Sequence, residues 1–207
     1  MLTFPLFAAP NASDQLVRRV EQRYNAVHTL SVHFVEHYEN EGHPRRPEEG
    51  TLTLRKVGKM RWDYSDPKGK LFISDGKTLY LYTALDSRVE RWNLKDTEDM
   101  RAPLAFLLGH MDMQKEFRDF STHPASGGTW LDATAKNARA PYEAVEMMIA
   151  PDDSIRQLKV KGRDGSTLSY VFGQEQLNIP VSDGLFKFAI PAGAEVVNSV
   201  ALNGQGS

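Results

Sequence analysis

From Leu30 onward the apolar residues of this chain recur at every second position, and turn residues interrupt the pattern at short, regular intervals. That rhythm constrains the fold more than any other feature. A period of two sends alternate side chains to opposite faces of a strand, so each segment has one apolar and one polar side. Leu30, Val32, Phe34, Glu36 and Tyr38 alternate with Ser31, His33, Val35 and His37. After a polar, proline-bearing loop over 39–49, strands are predicted at 50–55, 59–64, 70–74, 78–82 and 88–94. They resume at 116–120, 129–135, 143–149, 155–161, 167–177 and 186–190. Val57-Gly58, Asp66-Pro67-Lys68-Gly69, Asp75-Gly76-Lys77, Asp86-Ser87, Asp152-Asp153 and Asp164-Gly165 supply the turns. Short strands with turn signals roughly every 8–12 residues make a meander in a large antiparallel sheet or barrel.

Two segments break the period. Ahead of the strands, Leu16, Val20, Tyr24 and Val27 recur at helical spacing, with Val17 beside them and Arg18, Arg19, Glu21, Gln22 and Arg23 between. This is an amphipathic helix with one apolar stripe. Asn11 or Ser13 can cap it, and Asp14 suits the positive end of its dipole. The second break, 103–110, has Pro103 at its start, Gly109 near its end and Leu104, Leu107 and Leu108 inside, and reads as a short helix. The fold class is therefore mainly β with helices (α+β), with about eleven strands in the sheet. No internal repeat or linker is visible. Residues 13–200 are expected to form one domain, with a signal-peptide remnant or disordered arm at 1–12 and a polar tail at 201–207.

Leu52, Leu54, Met60, Trp62 and Tyr64 put bulky apolar groups on one face of neighbouring strands. A curved sheet with such a face must cover it or close around something. The 16–27 helix and the Leu104–Leu108 segment are the only covers in view, and two short helices fill such a concavity loosely. A partly empty apolar cavity that takes an apolar ligand is the expected consequence.

Composition removes other classes. The chain has no cysteine, so disulfides, thiolate metal sites and cysteine nucleophiles are excluded. The formal net charge is -2 and no concentrated basic face exists, which argues against nucleic acid as a partner. No apolar run approaches the roughly 18–20 residues of a membrane-spanning helix. Elbow, P-loop, dinucleotide and His-Glu-x-x-His motifs are all missing, so no enzyme activity and no cofactor are expected. His33 and His37 share a strand face but lie roughly 13 Å apart, at about 3.3 Å per residue, too far to grip one metal ion. Arg61 and Asp63 are expected to form a surface ion pair.

Several motifs together resemble the outer-membrane lipoprotein carrier (LolA) family. Gly58-Lys59-Met60-Arg61-Trp62-Asp63-Tyr64, then Pro67, then Ser74-Asp75-Gly76-Lys77-Thr78-Leu79-Tyr80-Leu81-Tyr82 is similar to the family's central signature. Phe186-Lys187-Phe188 with Pro191, Gly193 and Val196 is similar to its closing one, and Leu16, Tyr24, Leu30 and Phe34 match its opening spacing. The resemblance implies an incomplete antiparallel barrel of about eleven strands, with a helical lid over an apolar cavity. It implies a periplasmic carrier of the Gram-negative cell envelope, in which the acyl chains of lipoproteins are bound and shuttled from inner to outer membrane. The implied partners are acylated lipoproteins, an inner-membrane ATP-driven release complex and an outer-membrane lipoprotein acceptor, with the carrier working as a monomer.

For the site, the resemblance implies a cavity lined by Leu16, Val20, Tyr24, Phe34, Leu52, Leu54, Met60, Trp62, Tyr64, Leu104, Leu107 and Leu108. The family latches its lid with an arginine followed by proline. Here Lys56 and Val57 stand at those positions, so Lys56, or its neighbour Arg55, is the expected latch. Lysine keeps the charge without arginine's planar fork of donors. Two other functions fit the same cavity: a lipid-binding sensor or sorting protein of the envelope, and a secreted hydrolase acting on a lipid-like substrate.

Overall fold

The first helix begins where its cap places it. The Asn11 side chain accepts a hydrogen bond from the Ser13 backbone amide at 3.2 Å, and α1 runs over Ala12–Asn25. The computed structural model describes residues 11–93 and 111–198. After α1 come β1 (Thr29–Asn40), the two-residue β2 (His43–Pro44), β3 (Glu48–Arg55), β4 (Lys59–Asp66), β5 (Lys70–Asp75), β6 (Thr78–Thr83) and β7 (Arg88–Asn93). The second stretch holds a one-turn helix α2 (Met113–Glu116), β8 (Phe117–Ala125), β9 (Gly128–Ala135), β10 (Tyr142–Ile149), β11 (Ile155–Gly162) and β12 (Ser166–Leu177). A 3-10 turn (Asp183–Phe186) and β13 (Glu195–Asn198) complete it. The short helix expected at 103–110, residues 1–10 of the arm expected at 1–12 and the tail at 201–207 lie outside the described residues, while Asn11 caps α1 and Ala12 begins it.

All the strands join one sheet, in the order β13-β7-β6-β5-β4-β3-β1-β12-β11-β10-β9-β8, with β2 paired to β1. β1 is the seam. It joins a meander of β3 to β7 on one side to a meander of β12 back to β8 on the other. The sheet does not close on itself, because β13 and β8 are its two edges. The strand pattern predicts a meander in a large antiparallel sheet or barrel and the family resemblance implies an incomplete barrel, and the architecture found is such an open sheet. It is antiparallel at every pairing except one: β13 runs parallel to β7, with Glu195 opposite Arg88 and Asn198 opposite Arg91.

That exception traces to a segment read differently from sequence. Residues 186–190 were expected to form a strand because of Phe186, Phe188 and Ile190. Phe186 instead ends the 3-10 turn, which packs on β4 and β5 from outside the barrel. Phe188 lies 5.2 Å from the Tyr80 ring and 6.1 Å from that of Tyr82 on β6. The alternation therefore reflects two rings docked on a sheet already formed. The chain crosses the outer face and reaches β7 from the same end as β7 itself begins, hence the parallel pairing.

The interior is one apolar cluster. It contains Leu16, Val17, Val20 and Tyr24 of α1, Leu30, Val32 and Phe34 of β1, and inward residues of β3 through β6. Leu131, Val145, Met147, Leu158, Val160 and Tyr170 come from the far meander. The outer face carries a smaller buried layer, in which Ile73 of β5 and Phe186 are 0% and 1% exposed.

Candidate functional site

The inner face of the β3–β4 hairpin is set by register. Leu52 pairs with Trp62, Leu54 with Met60 and Gly50 with Tyr64, and all five large side chains are buried. Gly50 also lies opposite Phe34 of β1. A methyl group at Gly50 would sit 2.1 Å from the Asp63 carbonyl oxygen, so only glycine lets these strands approach. The space is taken by rings: Phe34 meets Trp62 edge-on at 4.8 Å and Tyr64 at 5.1 Å. From across the concavity Tyr170 of β12 reaches Trp62 at 5.4 Å and Phe34 at 6.5 Å. These aromatic contacts join the two meanders.

Among the described residues, side chains from both meanders meet on the inner face, where Tyr170 of β12 packs against Phe34 of β1 and Trp62 of β4. The pocket bordering the end of α1, lined by Tyr24, Val27, His28, Thr29, Leu30, Leu54 and Lys56, has a volume of about 10 Å³. That is room for about one water molecule.

Polar groups mark the two ends of the interior. At the end away from α1, Glu36 is 6% exposed and its Oε2 accepts a hydrogen bond from the Tyr64 hydroxyl at 3.0 Å. Beside it the Lys70 ammonium lies 4.4 Å from the Tyr64 ring centre and pairs with Glu48. At the α1 end, the Tyr24 hydroxyl donates to Glu175 Oε1 at 2.8 Å and accepts from the Ile155 amide at 2.9 Å. Burial, then the Glu175 charge, pushes the Tyr24 phenol well above the usual tyrosine range, so it stays a donor. Arg23 pairs with the same carboxylate at 2.5 Å and donates to the Asp152 carbonyl at 3.2 Å, while Arg19 pairs with Asp153 at 2.9 Å. Asn25 and the Met111 backbone exchange two hydrogen bonds, of 2.9 and 2.6 Å.

The two candidate latch residues face opposite ways. Lys56 Nζ donates to the Tyr24 carbonyl at 2.9 Å and approaches the Asn25 carbonyl at 3.4 Å, at the C-terminal end of α1. The Tyr24 carbonyl also accepts from the Val27 amide at 3.2 Å, and a cation at this end of the helix suits the dipole. Burial pushes the Lys56 ammonium below the usual lysine range. Arg55 does not touch α1. It pairs with Asp183, and its guanidinium lies 5.2 Å from the Phe186 ring, both on the outer face. One residue's shift along a strand reverses the face, so only one of two neighbours can reach the helix. Lys59 joins Asp183 at 3.2 Å, and Arg61 donates to the Leu185 carbonyl at 3.1 Å. Arg61 also forms the expected ion pair with Asp63, at 2.7 Å.

Of the residues expected to line one surface, the structure gathers Leu16, Val20, Tyr24, Phe34, Leu52, Leu54, Met60, Trp62 and Tyr64 into a single cluster. Leu104, Leu107 and Leu108 lie outside the described residues. Sequence reasoning missed Glu36 and Glu175. Glu36 was legible in principle, standing in phase with Phe34. Glu175 carries no local signal, since it meets Tyr24 across 151 residues of chain.

Comparison with known proteins gives a consistent relationship. Residues 25–189 match the sequence model of a family described as outer membrane lipoprotein carrier protein LolA. An outer-membrane lipoprotein carrier protein from Dechloromonas aromatica is 27% identical over 196 residues, covering 93% of this chain and 90% of that one. Its counterpart in Chromobacterium violaceum is 27% identical over 191 residues, covering 92% and 91%. Among solved structures, an uncharacterized conserved protein from Thermus thermophilus superposes with a TM-score of 0.54 at 11% identity, over 91% of this chain and 100% of its own. That likeness concerns the fold alone.

Proposed function

This chain belongs to the LolA family of outer membrane lipoprotein carrier proteins, and we propose that it binds the acyl chains of lipoproteins and carries them through the periplasm to the outer membrane. The observation that carries this reading is the apolar interior beneath α1. Nine inward side chains from α1, β1, β3 and β4 belong to one apolar cluster.

The energetics suit a carrier. Exposing an acyl chain to water costs about 0.8 kcal/mol per methylene, so one long chain resists leaving a membrane by roughly 10 kcal/mol. A shuttle must offset most of that with apolar wall while still allowing release. An apolar wall beneath a helical cover can meet both needs, because raising the cover lowers the affinity. Release then costs less than it would from a rigid open void. No covalent step is required.

In this reading Leu52, Leu54, Met60, Trp62, Tyr64 and Phe34 form the seat, and Leu16, Val20 and Tyr24 form its cover. Lys56 holds the cover's end. Cargo would arrive from an ATP-driven release complex of the inner membrane and leave to an acceptor at the outer membrane. Native mass spectrometry of the protein purified from the periplasm of a lipoprotein-producing host tests the reading. Adducts with the mass of acylated lipoproteins are expected. Protein that remains free of lipoprotein under conditions where an authentic carrier is loaded would contradict it.

A further inference from the structure

Trp62 is fully buried at the centre of the interior, and its indole Nε1 is a hydrogen-bond donor with no acceptor among the described residues. Its cross-strand neighbours on the inner face are Leu52 and Phe72, each 1% exposed, and the rings of Phe34 and Tyr170 close over it. None of the apolar side chains among these offers an oxygen or nitrogen in the right place. An orphaned buried donor is costly, and native interiors rarely keep one without a reason. A phenylalanine in this place would bury a similar ring without the unpaired N–H.

Resting on the acyl-binding reading above, we propose that the Trp62 indole N–H is the seat of an acyl ester carbonyl, which it grips when a lipid enters the interior. A hydrocarbon tail brings apolar contact but no acceptor. The ester at its head brings one carbonyl oxygen, and the surrounding apolar walls keep water from competing for the donor. Trp62 would thus read the one polar feature common to acylated cargo and fix how deep each chain sits. Trp62 lies mid-strand in β4, between Met60 towards the α1 end and Tyr64 towards the Glu36 end. The carbonyl is therefore held inside the barrel, not at its rim. Lipoproteins and phospholipids both carry such esters, so the chemistry is shared and the source is a matter for the test.

The test compares ester lipids with ether analogues of equal chain length, in two pairs: a synthetic diacylglyceryl lipopeptide and a diacyl phospholipid. Affinities are measured for the wild-type chain, for Trp62→Phe, and for a chain with 3-benzothienylalanine at position 62, which keeps the ring's shape and replaces N–H by sulfur. The wild-type chain is expected to favour the ester by about tenfold, the scale of one recovered buried hydrogen bond. Both replacements should erase that preference, bringing the ester-to-ether affinity ratio to about one whatever they do to the affinity for either lipid alone. The Trp62 indole proton resonance should move downfield with the ester and stay put with the ether. A preference confined to the lipopeptide pair makes lipoprotein the source, and one confined to the phospholipid pair makes it phospholipid. Equal binding of ester and ether by the wild-type chain, or a preference that survives the sulfur isostere, would overturn the proposal while leaving acyl binding intact. Failure of every lipid to bind would overturn the acyl-binding reading and this inference with it.

Discussion

The sheet carries two covers, α1 on its inner face and a strap over 181–188 on its outer face at β4 and β5, and they are held by different physics. Inside, α1 rests on apolar area: Leu16, Val17, Val20 and Tyr24 are all at most 5% exposed. Its polar contacts are concentrated in its C-terminal half, where Tyr24, Arg23, Asn25 and Lys56 tie it to four different parts of the chain. Outside, the strap over 181–188 depends on charge. Arg55 and Lys59 converge on Asp183, whose side chain is 74% exposed, and Arg61 holds the next turn by a carbonyl. Area is insensitive to salt and mild acid, whereas exposed ion pairs are sensitive to both. The inner cover should thus behave as part of the core, and the strap as a clasp that solution conditions can loosen.

The comparison makes its largest claim at Leu16. Leu16→Ala should lower global stability by about 2–5 kcal/mol, the usual range for emptying a buried leucine site. Urea unfolding checks this. A loss under about 0.5 kcal/mol would mean that α1 rests loosely and is a lid in the full sense, since changes that small are typical of surface sites.

Next comes the latch. Lys56→Met removes the side-chain donor at the C-terminal end of α1, where the Tyr24 carbonyl keeps only the Val27 amide, and should cost about 1 kcal/mol, the net value of an ordinary hydrogen bond. Amide exchange of residues 22–27 should quicken with it. Arg55→Met should leave those amides unchanged and perturb the Ile73 methyl resonance instead. If the two variants affect α1 equally, the two faces of the hairpin are not separate.

The smallest effect is a pH effect on the strap. Hydrogen bonds from Arg55 and then Lys59, with the charges of both, hold the Asp183 carboxyl below its ordinary value of 3.8. A depressed carboxylate contributes its full stabilisation above the unfolded value and loses it as pH falls through the folded one. The strap should therefore stay docked down to pH 3.8 and loosen only below it. The Ile73 methyl and Phe188 ring resonances report this while those of Val20 stay fixed. Movement of both sets together would show one cooperative unit in place of two.

Much of this architecture was legible because strand parity is local. Met60, Trp62 and Tyr64 announce a shared face by spacing alone, and the Asp75-Gly76-Lys77 turn is confirmed by the Asp75 side chain accepting from the Lys77 and Thr78 amides at 2.8 Å each. The helix start at Asn11 was equally local. The failures share a cause of the opposite kind. The strap was mistaken for a strand because Phe186 and Phe188 alternate, and only the assembled outer face of β4 to β6 explains why they do. The choice between Lys56 and Arg55 turned on which face of β3 α1 would cover. The Glu175 clamp on Tyr24 depends on two residues brought together by the whole sheet.

The most direct test of the central claim uses the parity of β4. A diazirine analogue of methionine at Met60 places a photoreactive group on the inner face, and the same group at Lys59 faces outward with almost no change in position along the strand. Loaded with acylated lipoprotein and irradiated, the Met60 protein should crosslink to the acyl portion of its cargo and the Lys59 protein should not. Equal labelling at both positions, or labelling at Lys59 alone, would contradict an acyl seat beneath α1.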